Sequence, residues 1–204
     1  MNKSEELIII YVKDPETDEV KSRLAEVLGK DKAIYLYKKM LEMARLCLSE
    51  LPFDLAVSYS SEINSNDLWN DLASFKMAQE GNDLGQRMYN DFQIAFEKGY
   101  EKVLILGSDI PELTPSIVSD AFDKLDLREA VVGPSFDGGY YLIGFSQTQK
   151  NLRPIFENIE WSTSTVLAKT VKNLKREKIR FHKLTKLKDI DVINDLKGYE
   201  FLLD

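Results

Sequence analysis

The sequence predicts a single α/β domain, a three-layer α/β/α sandwich built on a mostly parallel mixed sheet. Its length of 204 residues and hydrophobic fraction of 44% suit one continuous core. Segments with strand patterning alternate with segments of helical periodicity, which is the order found in α/β domains. Residues 103–106 (VLIL) form a continuous apolar run, typical of a strand in the middle of a parallel sheet.

In the first half of the chain, the patterning predicts a strand, two helices, two strands and a third helix. Their ranges are 7–12, 20–28, 32–51, 54–59, 74–79 and 83–98. Gly29 and Gly99 predict the ends of the first and third helices, and Asp83 predicts the N-cap of the third. Leu68 and Trp69 predict a helical turn that packs on the sheet.

The second half continues the alternation. After the strand at 103–106, a helix is expected at 115–125, strands at 130–132 and 140–145, a helix at 164–178 and an amphipathic segment at 192–203. The lysine-rich stretch 169–188 is interpreted as a solvated helix face and strand edge. No repeat or linker divides the sequence, so residues 1–204 are treated as one domain.

Composition excludes several classes of partner. The net charge of −7 and the pI near 5.0 argue against nucleic acid or an anionic membrane, because both select an excess of Lys and Arg. No apolar stretch reaches the roughly 18 residues that a membrane span needs, and residues 1–6 lead into a strand rather than a signal-peptide core. We expect a soluble cytoplasmic protein, and a homodimer is one assembly that the sequence allows.

Two residue types occur once each. Cys47 lies in an apolar helical run and cannot form an internal disulfide, so we interpret it as buried packing. His182 lies in a predicted strand and is interpreted as structural. A single histidine excludes a multi-histidine zinc site.

Asp109 is the first candidate metal ligand. It follows the buried strand at 103–106 through small residues and therefore lies at the carboxyl edge of the sheet, where open α/β sheets bind ligands. A carboxylate there suits Mg²⁺ or Mn²⁺, which take oxygen ligands, waters and substrate phosphates. Alternatively, Asp109 caps a helix that begins after Pro111.

A second acidic cluster contains Asp189, Asp191 and Asp195. On a strand, Asp189 and Asp191 would point to the same face, and one of them could complete a metal site with Asp109. The alternative is that Asp191 or Asp195 provides negative charge at the start of the last helix.

Cations stand near two predicted helix starts. Lys13 follows the first strand, and Lys21 and Arg23 lie at the start of the first helix, where phosphate groups could also meet free backbone N–H groups. Arg87 follows Gly81 and Gly85 at the start of the third helix. Ordinary surface charge and a capped turn are the alternatives.

The segment from Gly133 to Tyr141 pairs glycines with Asp137 and two aromatic rings, and Trp161 with Ser162 adds another ring and a hydroxyl. Paired glycines allow close backbone approach to a ligand, and rings beside carboxylates suit a sugar or another polyol. A hairpin turn with core tyrosines is the alternative.

Eight motifs, taken in chain order, resemble one family. They are Lys13-x-Pro15, Val20-Lys21-Ser22-Arg23-Leu24, Gly81-x-Asp83-Leu84-Gly85-x-Arg87-Met88, Gly107-Ser108-Asp109-x-Pro111, Gly133-Pro134, Asp137-Gly138-Gly139-Tyr140-Tyr141, Trp161-Ser162-Thr163 and Asp189-x-Asp191. From about Leu7 to Leu202 the chain is similar to the bacterial GT-A-type glycosyltransferase family linked to arsenosugar biosynthesis. That family looks related to phospholactate guanylyltransferase and to the molybdenum-cofactor nucleotidyltransferases.

The resemblance implies a nucleotide-diphospho-sugar transferase fold of GT-A type, a nucleotide-linked donor, and Mg²⁺ or Mn²⁺ as cofactor. It also implies a role for each matching residue. The implied sites are donor and nucleotide binding by Lys13, Lys21, Arg23, Arg87 and Ser108; metal binding by Asp109 and Asp191; catalysis by Asp137 and Asp109; and sugar or acceptor binding by Gly138, Gly139, Tyr140, Trp161 and Ser162.

The sequence departs from the family at the loop before the first helix. Thr17-Asp18-Glu19 stands where the family has Pro-Gly, and Ser22 stands where threonine is common. The loop is therefore less glycine-rich and more acidic than in the family.

Three functional hypotheses follow. The first is a metal-dependent glycosyltransferase that moves a sugar from a nucleoside-diphosphate-sugar to a small acceptor, with Asp137 as base if configuration inverts. The second is a nucleotidyltransferase that joins a nucleoside triphosphate to a phosphorylated small molecule. The third is a non-catalytic nucleotide-binding protein, suggested by the altered loop at 17–19.

Overall fold

A seven-stranded sheet forms the centre of the computed structural model, which describes residues 4–147 and 151–203. Residues 1–3, 148–150 and 204, which include both ends of the predicted domain, lie outside the described residues. The strands are β1 (Glu6–Val12), β2 (Asp54–Tyr59), β3 (Phe75–Ala78), β4 (Lys102–Gly107), β5 (Ala130–Pro134), β6 (Tyr140–Ser146) and β7 (Phe181–Lys183). Their order across the sheet is β3-β2-β1-β4-β6-β5-β7.

Helices cover both faces of the sheet. They are α1 (Ser22–Leu28), α2 (Lys30–Ser49), α3 (Leu84–Glu97), α4 (Pro115–Leu125), α5 (Arg153–Phe156) and α6 (Val166–Arg176), followed by 3₁₀ helices at Ile193–Leu196 and Glu200–Leu203. Alternate residues of β1 point to opposite faces, as the pleat requires. Ile8 and Ile10 join the core under α1, α2 and α4, whereas Leu7 and Ile9 join the core under α3, α5 and α6.

The predicted fold class is confirmed, and the sheet is mixed because of one strand. β6 runs antiparallel to both of its neighbours, β4 and β5, and every other pairing in the sheet is parallel. The run at 103–106 lies in β4, the fourth of the seven described strands, with all four side chains buried. Its central position was predicted, but its antiparallel pairing with β6 was not.

Local signals place most element boundaries correctly. Gly29 adopts φ 87° between α1 and α2, and Gly99 adopts φ 86° after α3, conformations that cost glycine little. The side chain of Asp83 accepts a hydrogen bond from the Gln86 N–H at 2.8 Å and caps α3 as predicted. Trp69 is fully buried at a turn over the α1–α2 face of the sheet.

Apart from the direction of β6, the differences from the predicted elements are confined to short segments. The terminal segment at 192–203 forms two 3₁₀ helices, with Gly198 at φ 91° between them. The four-residue helix α5 was not predicted. Cys47 is buried on α2, as expected, and burial raises the pKa of its thiol to about 11. In the described part of the chain, no helix is both long enough and apolar enough to cross a bilayer.

One edge of the sheet collects the polar ends of many elements. The strands β1 to β5 all run in the same direction and end at this edge. The strand β6, which runs antiparallel to β4 and β5, begins there. Ligands in open α/β sheets bind outside the carboxyl ends of the strands. The residues that follow β1 to β5 are therefore brought together.

Candidate functional site

A cavity of about 600 Å³ opens at this edge of the sheet. It lies between the loops that follow β1 and β4, the start of α3, the β5–β6 turn, and the segments 161–163 and 189–191. Thirteen residues were predicted to form the site, and all except Gly138 line this cavity. The lining members are Lys13, Lys21, Arg23, Arg87, Ser108, Asp109, Asp137, Gly139, Tyr140, Trp161, Ser162 and Asp191.

An ion-pair cluster occupies the centre of one wall. The Lys21 Nζ lies 2.7 Å from Asp109 Oδ2 and 3.8 Å from Asp191 Oδ1, and the Arg23 Nη1 lies 2.9 Å from Asp191 Oδ2. Only 6% of the Lys21 side chain is exposed, against 64% of the Arg23 side chain. Burial alone would lower the pKa of Lys21, but the carboxylates of Asp109 and Asp191 hold this pKa above its ordinary value.

Asp109 does not cap the helix that follows it, so the capping interpretation is wrong. That helix, α4, begins at Pro115, and the side chain of Thr114 accepts the capping hydrogen bond from the Ile117 N–H at 3.4 Å. Asp109 instead faces the cavity two residues beyond β4. Its backbone carbonyl accepts a hydrogen bond from the Ile190 N–H at 3.2 Å, which fixes the segment 189–191 beside it.

The acidic segment at 189–191 is not a strand, although Leu187 makes an isolated parallel bridge to Ser135. Asp189 and Asp191 nevertheless both line the cavity. Burial, and then the negative charge of Asp137, raise the pKa of Asp189 to about 6. Asp195 takes the capping role, since its carboxylate accepts hydrogen bonds from the Asp191 and Val192 N–H groups at 3.1 and 2.8 Å.

Side-chain hydrogen bonds to Asp18 hold the loop after β1. The Asp18 carboxylate accepts hydrogen bonds from the Asp14 N–H at 3.0 Å and from the hydroxyls of Ser60 and Ser61. Although burial raises the pKa of Asp18, these hydrogen bonds hold it below its ordinary value. The loop leaves Lys13 exposed at the cavity, with its ammonium donating to the Glu19 carbonyl at 2.9 Å.

The start of α3 forms a second wall. The Arg87 Nε donates to the Gly81 carbonyl at 3.2 Å, so its guanidinium lies along the rim of the cavity. Gly85 is needed for packing: a Cβ there would come within 2.5 Å of Trp161 Cζ2 and 2.9 Å of the Phe156 carbonyl oxygen. The absent side chain lets Trp161 lie directly on α3.

The β5–β6 turn is both a hairpin turn and a wall of the cavity. Asp137 Oδ1 accepts hydrogen bonds from the Gly139 N–H at 2.8 Å and from the Ser135 hydroxyl. Gly138, at φ 92°, packs on the segment before α6, where a Cβ would lie 2.2 Å from the Ser164 carbonyl oxygen. Gly138 therefore contacts the segment before α6 and does not line the cavity.

A buried polar cluster lies beside the cavity. Asp91 is 1% exposed on α3, and its Oδ2 accepts a hydrogen bond from the Ser58 hydroxyl at 2.7 Å. Within residues 4–147 and 151–203, neither Asp91 Oδ1 nor the nearby Tyr11 hydroxyl has a hydrogen-bond partner. Burial raises the pKa of Asp91 to about 6, a rise that the nearby hydroxyls of Tyr11 and Ser58 only partly oppose.

Several lining residues were not predicted from the sequence. Tyr11 is the penultimate residue of β1, Ser60 follows β2 and Gln79 follows β3, so each stands at the ligand-binding edge. Their positions at strand ends are the signal that could have identified them. Tyr37, on α2, reaches the cavity through its hydroxyl, which accepts a hydrogen bond from the Lys13 N–H at 3.0 Å and lies 3.2 Å from the Ser108 hydroxyl.

Acidic side chains do not by themselves complete a metal site in the described ranges. No group of three or more His, Cys, Asp or Glu side chains there is arranged to hold a metal ion. Four aspartates line the cavity, and Lys21 bridges two of them, Asp109 and Asp191. The remaining ligands of any cation would have to come from waters or from a bound molecule.

Comparison with known proteins establishes the family. A family model described as "Uncharacterized protein conserved in bacteria (DUF2064)" matches residues 43–163. The chain belongs to this family. No curated protein matches the chain. A crystal structure from Desulfovibrio desulfuricans G20, provisionally assigned as a nucleotide-diphospho-sugar transferase, is 37% identical, with a TM-score of 0.86 over 96% of this chain and 86% of the other.

More distant structures share the fold. The inositol-1-phosphate CTP transferase from T. maritima is 16% identical, with a TM-score of 0.56 over 98% of this chain and 96% of that enzyme. Rv0371c from Mycobacterium tuberculosis H37Rv, crystallised as a complex with manganese, is 12% identical, with a TM-score of 0.54 over 99% of each chain. The structural matches, first among them the Desulfovibrio protein, confirm the predicted nucleotide-diphospho-sugar transferase type of fold.

Proposed function

We propose that this family member is a metal-dependent glycosyltransferase that moves a sugar from a nucleoside-diphosphate-sugar to a small acceptor. The observation that carries the proposal is the cluster of Lys21, Asp109 and Asp191 at the carboxyl edge of the sheet. The provisional assignment of the Desulfovibrio protein, at 37% identity, supports the sugar-nucleotide donor. Only the resemblance of the sequence motifs supports a link to arsenosugar synthesis.

The donor set fits Mg²⁺ or Mn²⁺. These ions commonly take one or two protein carboxylates and complete their coordination with waters and substrate phosphates. Asp109 and Asp191 supply the two carboxylates, and a donor diphosphate would supply the phosphate oxygens. The manganese complex of Rv0371c is consistent with such a cation on this fold.

Basic residues would bind the phosphates of the donor. Lys13 and Arg23 are exposed at the cavity, and Lys21 is buried against the carboxylates of Asp109 and Asp191. As the bond to the sugar breaks, negative charge grows on the departing diphosphate, and fixed cations nearby lower the energy of that state. A bound divalent cation would add Lewis-acid stabilisation of the same charge.

The opposite wall suits a polyol acceptor. Asp137, Tyr140, Trp161 and Ser162 line this part of the cavity, and the Tyr140 hydroxyl contacts the Met88 sulfur at 3.9 Å. Asp137 is the proposed base for the acceptor hydroxyl, since it is exposed to the cavity and the turn fixes its position through Ser135 and Gly139.

Nucleotidyl transfer is the second candidate. The T. maritima CTP transferase has the same fold, and the same pair of carboxylates with bound metal could hold a nucleoside triphosphate. The two reactions differ in their products: glycosyl transfer from a sugar nucleotide releases a nucleoside diphosphate, whereas nucleotidyl transfer from a triphosphate releases pyrophosphate.

The first experiment is thermal melting with UDP, GDP, CDP or ADP, with and without Mn²⁺. At a ligand concentration 100 times its Kd, binding adds about 2.7 kcal/mol, which raises the Tm of a domain of this size by about 5 to 11 °C. We expect one diphosphate to give a metal-dependent rise that is lost in Asp109→Asn. Asp120→Asn on α4, which removes a surface carboxylate paired with Lys124, is the control and should keep the rise.

Each outcome has a consequence. A metal-dependent rise followed by diphosphate release from a sugar nucleotide would support glycosyl transfer, and pyrophosphate release from a triphosphate would select nucleotidyl transfer. Metal-independent binding without turnover would favour the non-catalytic hypothesis. If no nucleotide raises the Tm, all three hypotheses fail.

A further inference from the structure

The position between Asp109 and Asp191 already holds a positive charge. The Lys21 ammonium lies within 4 Å of both carboxylates, at 2.7 and 3.8 Å, and 94% of its side chain is shielded from solvent. Arg23 neutralises the outer oxygen of Asp191 at 2.9 Å. Lys21 therefore stands where a cation that bridges the two carboxylates would bind.

The backbone holds Lys21 in this place. Lys21 adopts a left-handed conformation, with φ 49° and ψ 45°, immediately before α1, and its carbonyl accepts a hydrogen bond from the Ala25 N–H at 2.9 Å. A non-glycine residue adopts this conformation only where its surroundings support it. Here the support includes the buried ion pair with Asp109.

A divalent cation and the Lys21 ammonium cannot share the two carboxylates. Two positive charges within a few ångströms of each other repel strongly in a partly buried site. If the Lys21 ammonium leaves the carboxylates, its charge must therefore be neutralised by another anion. The lysine stem is flexible and carries three donors on its ammonium, so it can follow an anion. The carboxylates of Asp137 and Asp189 also line this cavity, but each carries a single negative charge. The diphosphate of a nucleotide carries at least two, so it could receive the ammonium while it contacts the metal.

We propose that Lys21 is an internal counter-ion that a divalent cation displaces, with the nucleotide diphosphate receiving the displaced ammonium. Metal and nucleotide then bind cooperatively, and the metal binds weakly when the nucleotide is absent. This inference rests on the proposed function for the identity of the anion, whereas the competition between Lys21 and the metal stands on the geometry alone. Linkage requires the metal to tighten nucleotide binding by the same factor.

The test is calorimetric titration with Mn²⁺, supported by electron paramagnetic resonance of the bound ion. Lys21→Met keeps much of the stem length and removes the charge. We expect it to bind Mn²⁺ at least tenfold more tightly than the wild type in the absence of nucleotide. In the wild type, the diphosphate that raises the Tm should tighten Mn²⁺ binding at least tenfold. In Lys21→Met this factor should be smaller, because only direct contact between the metal and the phosphates then contributes to it.

Two further variants control for charge and folding. Lys13→Met removes a cation from the same cavity that contacts a carbonyl rather than a carboxylate, so its affinity for Mn²⁺ alone should change less than threefold. Lys21→Arg keeps the charge and should keep the weak metal binding. Melting curves without ligand show whether each variant is folded.

Two results would overturn the inference. One is a folded Lys21→Met variant whose affinity for Mn²⁺ alone equals or falls below that of the wild type. The other is a wild-type affinity for Mn²⁺ that a bound diphosphate leaves unchanged. If no nucleotide binds, the proposed function fails, and the comparison of Lys21→Met with the wild type in Mn²⁺ alone still decides whether Lys21 competes with the metal.

Discussion

Replacing Asp91 with asparagine should stabilise the protein at neutral pH. The Asp91 carboxylate is buried on α3 with one hydrogen bond, from Ser58, and its pKa is raised from 3.8 to about 6. This difference corresponds to about 3 kcal/mol at 1.36 kcal/mol per pH unit, which is the cost of keeping the buried group ionised. In Asp91→Asn the amide oxygen can accept from Ser58, and the amide N–H₂ can donate to the Tyr11 hydroxyl, which lies beside residue 91.

The sign of the pH dependence follows from the raised pKa. Between about pH 6 and pH 4 the folded protein binds the Asp91 proton more tightly than the unfolded chain does, so lowering the pH through this window stabilises the wild type. Asparagine does not titrate. We expect Asp91→Asn to be more stable than the wild type by about 2 to 3 kcal/mol at pH 7.5, and by about 1 kcal/mol or less at pH 4.5.

Urea unfolding at the two pH values measures this difference directly. Comparing variant with wild type at each pH cancels the contributions of other carboxylates, including Asp189, whose pKa is also raised to about 6. Ser58→Ala removes the donor to the ionised carboxylate and should destabilise the protein at pH 7.5, which is the opposite sign. A destabilised Asp91→Asn variant at pH 7.5, or a gain that is equal at both pH values, would refute the reasoning.

Three further predictions concern packing, reactivity and capping. Gly85→Ala places a methyl group within 2.5 Å of the Trp161 ring, so it should cost about 1 to 3 kcal/mol in urea unfolding and change the tryptophan fluorescence; unchanged values would show that the ring moves freely. The buried Cys47 thiol, with its pKa raised to about 11, should react with a disulfide reagent at least 100-fold more slowly in the folded protein than in urea; equal rates would contradict its burial. Asp83→Ala removes the hydrogen bond to the Gln86 N–H and should lower the free energy of unfolding by about 1 kcal/mol, whereas Asp83→Asn should retain most of it.

Sequence patterning predicted the parts of the fold that depend on local chemistry. Apolar periodicity located the seven strands and the long helices, and Gly29 and Asp83 marked helix ends because their own backbone and side-chain chemistry decides those positions. The direction of β6 could not be read in the same way, because an apolar run looks the same in a parallel and an antiparallel pairing.

The residues of the site also divide into those that the local sequence predicts and those that it does not. Asp109 was identified because a carboxylate that follows a buried strand must lie at the binding edge of the sheet, whatever the rest of the fold does. The bridging position of Lys21 depends on Asp109 and Asp191, which lie 88 and 170 residues away in the chain. A local sequence pattern cannot predict contacts between residues so far apart. Asp91 was not identified as buried, although its spacing of three residues from Met88 and four from Ala95 places it on the buried face of α3.

Two walls of the cavity differ in how far apart their contacting residues lie in the sequence. The cation wall joins Lys21 to Asp109 and Arg23 to Asp191, contacts that span 88 and 168 residues, so any change there must suit several distant segments. The opposite wall is the β5–β6 hairpin, whose turn at 135–139 joins two neighbouring strands. A hairpin turn can change in length and composition without altering the order of the sheet. A change of sequence within this turn can therefore alter one wall of the cavity without changing the residues that contact Lys21 and Arg23.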